Sequence, residues 1–209
     1  MEELRDRLAE RYREPHRRYH DVRHLQEVLQ TVDDLADAAD DVEAVRWAAW
    51  FHDAVYDVHR DDNEERSAQL AEHDLTALGL DRGMVSEVSR LVRLTATHQP
   101  EDDDANGAVL CDADLRILAA DPWRHAEYVA DVRAEYAHVP DTEFRAGRAA
   151  ILRALLSSGR LFRTERAYTR WEERARANLA AELRRLESVD DETASTGSAE
   201  STESTGSNG

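Results

Sequence analysis

The chain has 209 residues with 45 acidic and 27 basic side chains, so its formal net charge is −18 at pH 7. Every one of the basic residues is arginine. An acidic chain repels polyphosphate backbones, so we expect neither duplex nucleic acid nor an anionic membrane as a partner. Hydrophobic residues make up 41% of the sequence, a share sufficient for the core of one domain.

The sequence shows neither a long apolar run nor a charged and then apolar leader. It therefore predicts neither a membrane span nor a secretory signal. Cys111 is the only cysteine, which excludes an internal disulfide framework and is in keeping with a reducing compartment. We expect a cytoplasmic protein.

The composition, free of lysine and rich in carboxylates, also suggests that the protein works at high salt concentration. Acidic surfaces stay soluble where dissolved salt screens the repulsion between their charges. We therefore predict a halophilic protein that requires salt. A genome that merely favours arginine codons over lysine codons is the alternative explanation.

Apolar residues at helical spacing run through most of the chain and predict helices in the following order. A first stripe covers residues 25–35, and residues 42–56 are apolar almost all round, which indicates a buried central helix. Further helices are predicted from stripes at residues 68–78, 85–92, 144–155 and 164–186. With only four prolines and eight glycines and almost no alternation of period two, the pattern predicts an all-α fold.

The last segment, residues 188–209, reads SVDDETASTGSAESTESTGSNG and contains almost no large apolar side chain. Such a composition cannot form a core. The sequence therefore predicts one helical domain over residues 1–187 and a disordered acidic tail over residues 188–209.

Several titratable residues interrupt the apolar stripes. His52 and Asp53 fall within the predicted buried helix, where their burial is costly unless they are paired or bound to a metal. His24 lies on the first stripe, one turn after His20, and such a pair can bind a metal; the alternative is a partly exposed N-terminal turn. Asp114 falls between two apolar positions of its stripe.

Asp112 lies off the same stripe, so Asp114 is the better candidate ligand and Asp112 a capping or supporting residue. Glu64, His98 and Arg148 also interrupt apolar faces. Each of them alone is more often part of a buried ion pair or a helix-end contact. Together they offer a base, an acid and an anion-binding group, which phosphoester chemistry needs.

The order of these motifs resembles the HD-domain superfamily of metal-dependent phosphohydrolases. The runs EPHRRYHDVRHL, AAWFHDAVYD, DNEERSA and CDADLRIL resemble, more narrowly, a largely uncharacterised family of small bacterial and archaeal HD phosphohydrolases. The likeness extends over residues 12–186. It implies a compact multi-helix bundle whose metal ligands are His24, His52, Asp53 and Asp114.

The resemblance also implies a function: hydrolysis of a phosphate ester or anhydride of a small molecule, with a nucleotide as the expected substrate, by a metal-activated water. Two imidazoles and two carboxylates suit Mn, Fe, Co, Ni or Zn, with Mg possible. We expect one or two ions per chain, because only His20 and His98 could supply further ligands to a second ion.

The expected roles of the other residues follow from their chemistry. Asp53 would orient the water and Glu64 would act as base or proton relay. The expected substrate-binding residues are Arg17, His20, His98 and Arg148, with the arginines neutralising phosphate oxygens. Two alternatives stay open: a non-catalytic ligand-binding or regulatory protein, and a di-iron oxygenase on the same scaffold. The oligomeric state is also open.

Overall fold

The computed structural model describes the backbone of residues 1–197 and the side chains of residues 1–188, and it contains helices and no strand in that range. The all-α prediction is therefore confirmed. The α-helices are α1 (Glu2–Arg11), α2 (Val22–Asp34), α3 (Val42–Phe51), α4 (Asn63–Ala77), α5 (Arg82–Leu94), α6 (Ala105–Asp114), α7 (Pro122–Glu135), α8 (Asp141–Ser157) and α9 (Glu165–Gly197). Two short 3-10 helices span Ala36–Ala38 and Leu115–Ala119.

Helix α3 lies at the centre of the bundle and contacts α1, α2, α4, α5 and α6. The Asp41 carboxylate caps its first turn by accepting the backbone N–H groups of Glu43 and Ala44. Six of its ten residues are buried, including the large side chains of Trp47 and Phe51. Burial of these apolar surfaces is the main force that holds the surrounding helices against α3.

The predicted helix over residues 42–56 is wrong at its C-terminal end, because α3 ends at Phe51. The buried Tyr12 hydroxyl donates to the Trp50 carbonyl and accepts the backbone N–H of Asp53. Arg17 donates to the carbonyls of Asp53 and Ala54. Side chains from a distant part of the sequence thus satisfy the backbone groups that a longer helix would have paired, and His52 and Asp53 lie in the turn after α3.

Two glycines are required by the geometry of helix ends. Gly79 follows the end of α4 with a φ of +78°, a left-handed conformation that glycine adopts at little cost. Gly107 lies in the first turn of α6, where its backbone N–H binds the Asp104 carboxylate. A Cβ atom at this position would collide with that carboxylate and with Leu94, so a larger residue would force both side chains to shift.

Helices α7, α8 and α9 form the C-terminal part of the described chain. Helix α9 packs against α8 and against the 3-10 helix Leu115–Ala119. It continues to Gly197, beyond residue 188 where the sequence predicted the tail to begin, and residues 198–209 of that predicted tail lie outside the described residues. No helix of the described chain combines the length and apolar character that a membrane crossing requires.

Candidate metal centre

Four side chains from three helix ends converge in the interior of the bundle. His24 lies in the first turn of α2, which Asp21 caps through the backbone N–H groups of Arg23 and His24. His52 and Asp53 follow the end of α3, and Asp114 is the last residue of α6. The structure therefore brings together all four of the ligands that the sequence predicted.

The inward-facing atoms of these side chains are close to one another. The Nε2 atoms of His24 and His52 are 3.0 Å apart. Asp53 Oδ2 lies 3.5 Å from the Nε2 of His24 and 3.2 Å from that of His52, and Asp114 Oδ1 lies 3.3 and 3.7 Å from the same two atoms. Bonds of about 2.0–2.2 Å to one ion place neighbouring donor atoms about 3.0–3.5 Å apart. His24, His52 and Asp114 form a group whose donor atoms all lie within 4.8 Å of one another, and Asp53 lies close to both histidines but is not part of that group.

The tautomer of His52 is fixed by a hydrogen bond away from the centre. Its Nδ1–H donates to the carbonyl of Ala49 at 2.8 Å, which leaves the lone pair of Nε2 directed at the cluster. Both imidazoles are buried, with 2% of His24 and 1% of His52 exposed. Two nitrogen lone pairs and two carboxylates in a buried site form a donor set that fits a divalent cation.

The electrostatics of the centre also favour a cation. Burial lowers the pKa of His24, but the carboxylates of Asp114 and Asp53 outweigh it and raise the pKa to about 10. Burial likewise favours neutral forms of the two acids, yet His52 and the other histidines around them hold the pKa of Asp53 and of Asp114 well below the ordinary value. Both carboxylates thus stay ionised in spite of their burial and attract positive charge to the two histidines, which a divalent cation can supply in place of protons.

His98 supports Asp114 from the side opposite the two ligand histidines. Its Nε2 lies 2.8 Å from Asp114 Oδ2, while Oδ1 of the same carboxylate faces His24. His98 has a φ of +52° and is the one non-glycine residue with positive φ in the described chain. Contacts of this kind hold a ligating carboxylate in place, so His98 is suited to orient Asp114.

Asp112 faces away from the centre. Its two carboxylate oxygens accept the backbone N–H groups of Arg163 and Thr164, at 2.6 and 2.7 Å, just before α9 begins. It is fully buried and serves as an anchor for the start of α9. The geometry thus places Asp114, and not Asp112, among the candidate ligands.

Glu135 is an important residue that the sequence reasoning missed. Its Oε1 accepts the backbone N–H groups of residues 18–20, and its Oε2 binds His20 Nδ1 and the Tyr56 hydroxyl. His20 also stacks on the Tyr56 ring at 4.3 Å between ring centres. Glu135 shares the buried face of α7 with Tyr128 and Val132, so a carboxylate on an apolar stripe was the signal available in the sequence.

The two arginines expected to bind substrate have partners within the protein. The Arg17 side chain is fully buried between the rings of Tyr12 and Tyr56, and its guanidinium donates to the carbonyls of His20, Asp53 and Ala54. Arg17 therefore stabilises the two loops that carry His20 and Asp53.

Arg148 donates to the Glu182 carboxylate at 2.7 Å and to the Tyr128 hydroxyl at 3.0 Å. A cavity of about 420 Å³ brings it together with His20, and the rest of that cavity is lined mainly by aromatic and aliphatic side chains. Arg148 therefore shares a cavity with His20 and is one half of a buried ion pair with Glu182.

Glu64 and its neighbour Glu65 differ in exposure and in their partners. Glu65 is exposed and binds Arg93 at 2.6 Å. Glu64 is half-buried in the first turn of α4 and has no hydrogen-bond or ion-pair partner among residues 1–188. Its charge and that of Asp53 both act on the Tyr136 hydroxyl, whose pKa burial and these acids raise.

A second and larger cavity, of about 540 Å³, opens directly beside the centre. Its lining includes the ligands His24 and Asp114 together with residues of α2, α7, α9 and the 3-10 helix Leu115–Ala119. This is the size of cavity that binds small molecules in enzymes.

A buried cluster of two histidines and two aspartates within an all-helical bundle is the arrangement of a candidate metal-binding protein. Residues 21–117, just under half of the chain, match the family model described as the HD domain. The match contains all four candidate ligands and supports membership of the HD-domain superfamily, and this domain is typical of metal-dependent hydrolases. Searches of curated proteins and of solved structures found no match.

Proposed function

We propose that this protein hydrolyses a phosphate ester or anhydride of a small molecule, with a nucleotide as the expected substrate, and that it depends on a divalent metal ion. The observation that carries the proposal is the convergence of His24, His52 and Asp114, with Asp53 beside them: the two imidazole Nε2 atoms lie 3.0 Å apart, and each carboxylate has an oxygen 3.2 to 3.7 Å from both of them. The mixed nitrogen and oxygen donors suit Mn, Fe, Co, Ni or Zn more than Mg.

His24, His52, Asp53 and Asp114 would hold the divalent ion, which would supply a bound water of lowered pKa and a charge that neutralises phosphate oxygens. The chain's own residues supply the remaining requirements. Arg17 and Tyr12 hold the backbone of Asp53 on both sides, so its carboxylate is fixed toward the two histidines. His98 holds the Asp114 carboxylate itself, at Oδ2. Glu64 is half-buried without a hydrogen-bond or ion-pair partner among residues 1–188 and is the proposed proton acceptor.

The substrate is proposed to be small because the cavity beside the centre measures about 540 Å³. The strongly negative chain does not favour nucleic acid or membrane surfaces as partners. The cytoplasm is the proposed location, since Cys111 is a free and buried thiol.

The proposal is tested by removing ligands from the centre. His52→Ala and Asp53→Ala should each lower turnover of a nucleotide panel by about a thousandfold, because ions in such sites contribute several kcal/mol to transition-state stabilisation. The assay measures release of phosphate and of pyrophosphate with Mn at high salt. His73→Ala is the matched control, since His73 also precedes an aspartate but is exposed on α4.

Different failures point to different alternatives. Unchanged turnover in His52→Ala would show that the centre does not carry the reaction. Nucleotide binding without hydrolysis, across several metals, would favour a regulatory HD protein. Two tightly bound irons per chain, together with oxygen uptake, would favour an oxygenase.

A further inference from the structure

The cavity beside the metal centre contains an arginine without an acidic partner. Arg116 follows the candidate ligand Asp114 by two residues and lines the same cavity as Asp114 and His24. It is half-buried and has no hydrogen-bond or ion-pair partner among the side chains described. Its guanidinium carbon lies 4.7 Å from the centre of the Trp171 ring.

The other arginines of this cavity are paired. Arg124 makes two hydrogen bonds to the Glu27 carboxylate, and Arg23 binds Glu27 and Glu127. The remaining one, Arg174, binds Asp121 at 2.8 Å. Of the acids that line the cavity away from the centre, Glu27 and Asp121 are therefore engaged, and Asp34 lies exposed at its edge.

Charges of both signs act on Arg116. The two cations Arg170 and Arg174, both on α9, act on it more strongly than the acids Asp121 and Glu27, and both acids are already bound to other arginines. The guanidinium of Arg170 also lies over the Trp171 ring, at 5.7 Å. In a chain with 45 acidic residues, a half-buried arginine that has no ion-pair partner among the described side chains and is acted on by two further arginines makes a local site for an anion.

The guanidinium of Arg116 is oriented to bind an anion. Its contact with the Trp171 ring restricts the guanidinium and leaves N–H groups free to donate. The planar fork of arginine matches phosphate or carboxylate oxygens with two parallel hydrogen bonds. Because the cavity continues from Asp114 to Arg116, one small molecule can reach both.

We propose that Arg116 binds a second anionic group of the substrate, a phosphate or carboxylate other than the phosphate that is cleaved. The preferred substrates are then phosphorylated small molecules that carry two anionic groups. The assignment of this anion to the substrate rests on the proposed phosphohydrolase function, whereas anion binding at Arg116 does not depend on it.

The first experiment measures anion binding without catalysis. Wild-type protein freed of metal on a chelating resin is titrated with inorganic phosphate in a calorimeter, beside the variants Arg116→Gln and Arg116→Lys. The glutamine variant should bind about tenfold more weakly, because a hydrogen bond to a charged group is lost together with the charge. The lysine variant keeps the charge but loses the fork, so its affinity should fall between the two.

The matched control is Arg82→Gln, since Arg82 is exposed in the first turn of α5 and does not line the cavity. It should bind phosphate as the wild type does. Thermal melts establish that each variant folds, and the lysine variant remains informative if the glutamine variant does not. Equal affinity in Arg116→Lys and wild type, the same loss in Arg82→Gln, or no phosphate binding by the wild type would each overturn the proposal.

The second experiment separates the substrate from an unrelated anion. If the metal-dependent activity is found, Arg116→Gln should lower kcat/KM about tenfold for a phosphomonoester that carries a second anionic group. It should leave a phosphomonoester of an uncharged alcohol unaffected. An equal loss for both compounds would overturn the assignment. Absence of hydrolysis in every protein, by contrast, would refute the proposed function and leave the phosphate titration as the test of Arg116.

Discussion

His98 has an unfavourable backbone conformation that places its side chain against Asp114. Its φ of +52° is a left-handed conformation that costs a residue other than glycine on the order of 1 kcal/mol. His98 lies in the turn four residues after the end of α5, and its ring contacts Asp114. Neighbouring helices must therefore stabilise this geometry, which is the pattern expected where a side chain positions a ligand.

We predict that His98→Ala weakens metal binding while leaving the four proposed ligands in place. Loss of a residue that holds a ligating group typically lowers metal affinity by about 10- to 100-fold. The measurement is competition for Mn or Zn with a chromogenic chelator. His138→Ala, which removes an exposed histidine of the α7–α8 connection, is the control. Equal affinity in His98→Ala and wild type would contradict a positioning role.

At the scale of elements, Glu135 joins α7 to the segment that precedes α2. One carboxylate accepts three successive backbone N–H groups and also binds His20 and Tyr56. The segment of residues 18–20 is not helical, so its N–H groups would otherwise lack partners in the interior. The Glu135 carboxylate therefore fixes the position of residues 18–20, which lead into α2 and His24.

The pKa of Glu135 makes this anchor sensitive to acid. Burial raises the pKa, but His20 and the backbone N–H groups outweigh it and lower the pKa to about 2. A glutamate in the unfolded chain titrates near pH 4.3. Between these values the unfolded state takes up the proton first, so the contribution is fully present above about pH 4.3 and is lost as the pH falls toward 2.

We predict that Glu135→Gln removes on the order of 3 kcal/mol of stability at neutral pH, the value that corresponds to this shift. Its free energy of unfolding should also change less than that of the wild type between about pH 5 and pH 3. Urea unfolding at a series of pH values measures both effects. Glu127→Gln, a half-exposed acid on the same helix, should behave as the wild type does. Parallel pH profiles for Glu135→Gln and wild type would contradict the assignment.

The sequence predicted the helical elements better than their ends. The stripe of α3 continues to residue 56, yet the helix ends at Phe51 because Tyr12 and Arg17 bind its last backbone groups. Those side chains come from a segment some forty residues earlier, and periodicity within one helix carries no information about them. Helix α9 likewise extends beyond the boundary that composition alone suggested.

The candidate ligands could be predicted for a related reason. His24, Asp53 and Asp114 are polar residues within otherwise apolar segments, and such interruptions are visible without a structure. The partners of Arg17 and Arg148 were not visible, because backbone carbonyls and a distant glutamate take up their donors. Arg116 could not be singled out from the sequence for the same reason, because its role depends on having no acidic partner among the described side chains.

At the scale of the whole molecule, the charge is balanced locally but not overall. Many of the arginines form ion pairs at the surface, such as Arg93 with Glu65 and Glu72. Such exposed pairs contribute little individually. The excess of acidic residues remains, and its mutual repulsion opposes the compact state where salt does not screen it.

We predict that the melting temperature rises markedly between about 20 mM and about 2 M KCl, because the screening length falls from about 20 Å to about 2 Å over that range. Thermal melts followed by circular dichroism measure it. Sucrose at matched osmolality is the control that separates screening of charge from exclusion of solute. Equal melting temperatures at both salt concentrations would instead favour codon usage as the origin of the arginines.

Five consecutive residues at the end of α6 serve three parts of the molecule. Asp112 binds the start of α9, Asp114 faces the candidate metal centre, and Arg116 lines the cavity beside it. Residues two apart on an α-helix point about 200° away from each other, which directs Asp112 and Asp114 to opposite sides of α6, whereas Arg116 belongs to the 3-10 helix that follows. An insertion or deletion of a single residue between two of them would rotate one relative to the other, so the length of the segment is more constrained than its composition.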